Sequence, residues 1–243
     1  MHPEANLAGT LMRPKLISFK LCPFVQRAAI VLERKKIEHD IEYIDLANPP
    51  AWFTELSPLK RVPVLLVGED VIFESMVINE YLDEAYPNQL HPQDLILRAK
   101  NRSWIEFGSE CMWDVFHLSV KESEREFYEV HAGLLNKLDQ VENVVTAAPF
   151  FNGPAFSLVD AGYAPLLQRL DYLDQLMPGI LDVARHPKVD TWKSNLVNLD
   201  AIKKSCVPGI KKLYHEHLWK RQGYISRFLD KTKYSGDVVR SVY

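Results

Sequence analysis

A chain of 243 residues with 47% hydrophobic, 25% charged and 11% aromatic side chains has the make-up of a folded globular protein of one large or two modest domains. Disordered, collagen-like and disulfide-scaffold classes are excluded together, and no apolar stretch reaches the roughly 18 residues that a bilayer span needs. The formal net charge of −3 hides a split, because residues 201–243 carry ten basic against three acidic side chains. That basic end reads as a solvated helix face or as a guide for anionic partners.

The first residues (MHPEANLAGTLMR) lack the basic region and apolar block of a secretory signal. Three scattered cysteines, Cys22, Cys111 and Cys206, form no disulfide framework. Both features predict a cytoplasmic, reducing setting with free thiols. In chain order, Lys15–Phe19 predicts a strand and Phe24–Lys35 a helix, with apolar residues at 24, 25, 28, 29 and 32. Ile41–Leu46 predicts a second strand, Trp52–Leu56 a short helix and Val62–Val67 a third strand. Gly68-Glu69-Asp70 turns the chain into Val71–Phe73, and Ser75–Tyr86 closes the unit as a helix. The order βαβαββα implies one small mixed sheet, with a parallel pair from the strand–helix–strand unit and an antiparallel edge from the hairpin.

Pro87–Pro92, polar and with two prolines, is read as a linker between domains at 14–87 and 93–235. Beyond it, Phe127, Val130, Leu134, Leu138, Val141 and Val145 recur every three to four residues, the buried stripe of a helix longer than about six turns. Ser157-Leu-Val-Asp160 has the form of a capping box and opens a helix to about Leu176. Trp192–Ile202 and Pro208–Trp219 predict further helices, so the second domain is expected to be all-α.

Cys22-Pro23-Phe24-Val25 lies between the first strand and the first helix, with proline at the first helical position and the cysteine as cap. Unpaired N–H groups and the helix dipole there favour thiolate and predict a lowered thiol pKa. Val25 stands where a C-x-x-C motif would have its second cysteine, so a redox cycle needs an external thiol. A buried, inert cysteine at a strand end accounts for the same residues taken alone. Cys111 and Cys206 read as structural thiols. His215-Glu216-His217 is set aside as a metal site, because side chains two apart on a helix diverge.

Three motifs in order, LCPFVQR at 21–27, SPLKRVPVL at 57–65 and FESMVINEYLDEAYP at 73–87, resemble the thioredoxin-like domain of the cytosolic glutathione transferases. FNGPAFSLVDAGYAP at 151–165 is similar to the capping-box helix of that family's helical domain. CPF followed by Gln-Arg looks most like the omega and lambda classes, whose catalytic residue is cysteine, rather than the tau class with serine.

The resemblance implies glutathione as co-substrate, no metal, a homodimer, and Cys22 as the catalytic residue beside Phe24. Val62-Pro63 would hold the family's cis bond, with the Val62 backbone pairing the cysteinyl part of glutathione. Ser75 and helical N–H groups would take the γ-glutamyl carboxylate, while Glu74 balances its ammonium group. Either Lys60 or Arg61, the basic pair before Val62, could neutralise the glycyl carboxylate, and the role is transferred to Lys60 because Pro49 stands where an omega-type lysine is expected. Arg169 and Tyr214 align with pocket residues for the second substrate, although an exposed helix arginine and a packed aromatic are equally open readings. Trp113 and Phe116 could line the same cleft, but a tryptophan at helical spacing reads first as core.

The function implied is glutathione-dependent thiol transfer through a Cys22 mixed disulfide, with dehydroascorbate reduction or removal of glutathione from thioether conjugates on the same apparatus. The segment KKLYHEHLWKRQGY at 211–224 is also similar to the glutathione lyases of aromatic catabolism. A non-enzymatic partner of RNA polymerase like stringent starvation protein A is the alternative. It shares the NPP at 48–50 and the helix beginning at residue 74, but has no use for a capping thiol. Membrane and nucleic acid are not expected as partners.

Overall fold

The computed structural model describes residues 12–234. Strand β1 (Lys15–Ser18) is buried from Leu16 onward, as a strand covered on both faces should be. Helix α1 (Pro23–Lys35) follows, then β2 (Asp40–Tyr43), α2 (Ala51–Leu56), the hairpin β3 (Val64–Val67) and β4 (Asp70–Phe73), and α3 (Ser75–Ala85). The sheet order is β2-β1-β3-β4, with β1 parallel to β2 and antiparallel to β3. Gly68, at φ 62°, makes the left-handed turn of the hairpin. β3 starts two residues later than expected, since Pro63 has no N–H for the ladder.

Val25 through Leu32 are all buried, so α1 has no solvent face along these residues. It packs on α3 and on α6 (Leu158–Asp174) of the second domain, which makes it the joint of the molecule. Each fully buried Ile or Leu here contributes about 1.5–3 kcal/mol. The expected linker is pinned rather than free. The Asp83 carboxylate accepts from the N–H groups of Leu90 (2.6 Å) and His91 (3.0 Å) and pairs with buried Lys35 at 3.0 Å.

The second domain opens with α4 (Leu95–Val120), capped by Asp94 accepting from the Leu97 N–H at 2.6 Å. Ile105, Gly108, Met112, Val115 and Ser119 mark its buried stripe. α4 and α6 pack closely at Gly108, where a Cβ would lie 2.6 Å from the Tyr163 ring. α5 (Glu124–Val144) buries Phe127, Leu134, Leu138 and Val141, and ends just short of the expected Val145, which is its C-cap.

The expected helix at Trp192–Ile202 is instead two, α7 (Pro187–Val197) and α8 (Asp200–Lys204), because Leu199 turns extended (φ −68°, ψ 138°) to cap the second. α9 (Ile210–Arg221) is followed by 3₁₀ turns at Tyr224–Phe228 and Lys231–Lys233. Position 235, where the helical domain was expected to end, and the rest of the basic end lie outside the described residues. Among the described residues no helix is long and apolar enough to cross a membrane.

Candidate active site at the start of helix α1

The sheet register gathers the site. Ile17 pairs with Val64, and Val64 with Phe73, so the segments after β1, before β3 and after β4 share one edge of the sheet. Those segments carry Cys22, Lys60 with Val62, and Glu74 with Ser75. Residues more than fifty positions apart come to share this edge because antiparallel pairing places strand ends beside strand starts.

Cys22 caps α1 with extended backbone (φ −69°, ψ 117°), and Pro23 follows as the first helical residue. Its side chain does not cap the helix, and Sγ faces the Val62 carbonyl at 3.9 Å. Cys22 is half-buried on a cleft also lined by Val25, Gln26, Tyr43, Ser205 and Cys206. Burial pushes the Cys22 thiol up, while the N–H groups of Val25 and Phe24, then Arg169 and Arg27, pull it down without cancelling that effect. This reverses the lowered value expected from the sequence. The helix end favours thiolate, but the surrounding protein displaces water from the sulfur and that loss weighs more.

Val62 is joined to Pro63 by a cis peptide bond. The loop before it is held by Ser57, whose Oγ donates to the Arg61 carbonyl and accepts from the Arg61 N–H, both at 3.0 Å. Lys60, left-handed at φ 53°, and Arg61 are exposed there. Glu74 rather than Ser75 is the N-cap of α3, with a strained backbone (φ 70°, ψ 118°) and an exposed side chain. Ser75, the first helical residue, is 7% exposed. Among the described residues its hydroxyl has no partner and lies beside first-turn N–H groups that no side chain caps. Such an end can receive a carboxylate.

On the helical side the arrangement differs from the simplest expectation. Arg169 is 6% exposed and its donors are engaged: one nitrogen binds Gln26 Oε1 and the Pro165 carbonyl at 2.9 Å each, the other the Leu21 carbonyl at 2.8 Å. Tyr214 is buried, its ring centre 6.0 Å from the guanidinium of Arg169 and 5.9 Å from the Tyr172 ring; burial pushes its phenol up to about 12. Both are therefore buried rather than presented to a second substrate.

Trp113, read first as core, is 45% exposed and packs its ring 5.8 Å from both Phe24 and Phe116. Cys111 is buried, and burial pushes its thiol up to about 12, the behaviour of a structural cysteine. Cys206, read as another, instead opens onto the Cys22 cleft, its thiol 3.6 Å from Gln168 Oε1. Nothing in its local sequence marks this. Among the described residues no group of three or more His, Cys, Asp or Glu could hold a metal ion.

Fold and site together define a two-domain protein: a thioredoxin-like unit with a single capping thiol facing a cis-proline loop, docked on a helical bundle. The models for the glutathione S-transferase N-terminal and C-terminal domains match residues 21–85 and 114–192. The chain belongs to the glutathione S-transferase family. It is 30% identical over 193 residues to glutathione S-transferase omega-1 of Sus scrofa, covering 77% of this chain and 78% of that protein. The crystal structure of glutathione transferase Omega 3C from Trametes versicolor superposes with a TM-score of 0.74 at 23% identity, over 86% of this chain and 91% of the other. A rice glutathione transferase in complex with glutathione superposes at 0.79 with 22% identity, over 88% and 99%.

Proposed function

We propose that this transferase is a cysteine-type, glutathione-dependent thiol transferase of omega character, with glutathione bound by residues 14–87 and the second substrate admitted beside residues 93–235. Cys22 thiolate attacks the glutathionyl sulfur of a mixed disulfide, the S–S bond breaks, and the partner leaves as thiolate to take a proton from water. A second glutathione thiolate then attacks the Cys22–glutathione disulfide, releasing oxidised glutathione and restoring Cys22. Dehydroascorbate reduction and removal of glutathione from thioether conjugates use the same sulfur and belong to the same reading.

The observation that carries this is the Cys22 sulfur itself, at an otherwise uncapped helix end, facing the Val62 carbonyl on a sheet edge that also holds Ser75. In the bound complex Val62 backbone groups pair with the cysteinyl unit, and the Ser75 hydroxyl takes the γ-glutamyl carboxylate. Glu74 balances the ammonium group, Lys60 the glycyl carboxylate, and Phe24 covers the sulfur. Arg169 and Tyr214 shape the second-substrate wall from behind, and exposed Trp113 supplies an aromatic surface beside Phe24. The active form is a homodimer in the cytoplasm. Exposed Phe73 and Val77, at the junction of β4 with α3, are apolar surface for a second copy to cover.

Cys22→Ala tests the reading. Turnover of a glutathione mixed disulfide should fall by about a thousandfold or more, while glutathione affinity stays within a few-fold. Full activity in that variant overturns it.

A further inference from the structure

Two buried arginines contact the residues that flank Cys22 in the chain, Arg169 at Leu21 and Arg27 at Phe24. Arg27 is 1% exposed: Nε donates to the Gly162 carbonyl and one terminal nitrogen to Ser109 Oγ, both at 2.9 Å, while the other has no partner among the described residues. Its guanidinium lies 5.1 Å from the centre of the Phe24 ring. Arg169, comparably buried, grips the carbonyl of Leu21 immediately before the cysteine. Every hydrogen-bond partner of the two is neutral, and among the described residues neither guanidinium has a carboxylate oxygen within 4 Å.

Buried cations with no carboxylate in contact are expensive, so their natural complement is an anion formed beside them. The groups around them narrow the choice. Exposed Glu106 on α4 and Tyr163 on α6 face Arg27, whereas Tyr172 on α6, Cys206 after α8, and Tyr214 and His217 on α9 face Arg169. Burial pushes the three phenols and the Cys206 thiol up, which keeps them neutral, and it lowers His217 to about 4. Glu106 is exposed, where water screens its charge, so Cys22 is the one acid that faces both arginines from a half-buried setting.

We propose that Arg27 and Arg169 are positioning residues for Cys22, two buried cations that hold the turn at Phe24 and Leu21 and supply the counter-charge for its thiolate. This rests on Cys22 being the reacting group. It gives Arg169 an electrostatic role in place of substrate contact.

The test is the pH dependence of iodoacetamide labelling in the full-length protein, read on the Cys22 peptide by mass spectrometry. Arg27→Met and Arg169→Met should each raise the labelling midpoint by about one pH unit, roughly a tenfold slower reaction at neutral pH. Arg27→Lys and Arg169→Lys should lie between wild type and the methionine variants. Where a methionine variant fails to fold, Arg169→Gln provides a neutral residue that keeps a donor for the Leu21 carbonyl. A purely structural role would lower the melting temperature and leave the midpoint in place, and an unmoved midpoint in folded neutral variants overturns the inference. If Cys22→Ala keeps turnover, the thiol-transfer reading fails instead, and the labelling result still stands on its own.

Discussion

Helices α1 and α6 pack against each other and both begin at the end of an irregular segment, yet their first turns are built in opposite ways. At α6 the Asp160 carboxylate is fully buried and accepts from the N–H groups of Ser157 (2.7 Å) and Phe151 (2.9 Å), the Ser157 hydroxyl (2.9 Å) and Trp192 Nε1 (2.8 Å). At α1 the cap is a half-buried thiol that makes no capping bond and opens onto a cleft. One helix end is saturated from within and binds two segments of its domain to the helix; at the other no side chain accepts a capping bond. The same kind of helix start serves stability in one place and, in the function proposed above, chemistry in the other.

Substitution at each end should separate these uses. Cys22→Ala should remove turnover and leave the unfolding free energy in urea within about 0.5 kcal/mol of wild type, the usual range for a substitution that breaks no buried bond. Asp160→Ala should do the reverse. It strands the Phe151, Ser157 and Trp192 donors and costs about 3–5 kcal/mol by urea unfolding, while the surviving folded fraction keeps its turnover per molecule. Loss of activity without loss of stability in that variant would break the contrast.

Smaller effects sharpen it. Ser75→Ala should weaken glutathione binding by about 1–3 kcal/mol in calorimetry, because a hydrogen bond to a charged group is removed. Unchanged affinity would mean that the start of α3 is not a carboxylate site. The pH profile bears on the sign of the Cys22 shift. Burial raises this acid, so thiolate accumulates only at higher pH, and labelling should inflect above the ordinary thiol value in the ligand-free protein. An inflection below it would show that the amides and arginines outweigh burial.

Much of the molecule was legible in short stretches of sequence. Pro23 after Cys22 marks a helix start, Gly68 a hairpin turn, and Ser157 with Asp160 a capped helix, because each signal is a local backbone requirement that one residue type meets. The split between α7 and α8 was not legible, since Asn198-Leu199 carries no proline or glycine to announce a break. Nor was the exposure of Trp113, for helical spacing shows that residues share a face but not what covers that face.

The residue types and their local order determined the βαβαββα unit, the capping thiol, the three motif segments that hold the candidate site, and hence the family. Tertiary structure alone decided the environment of the sulfur. Arg169 meets the Leu21 carbonyl 148 positions away, Cys206 reaches the cleft from beyond α8, and burial reverses the expected shift of Cys22. Desolvation and the placement of charges are sums over everything nearby in space, and a local motif contains only the part of that sum contributed by its own neighbours.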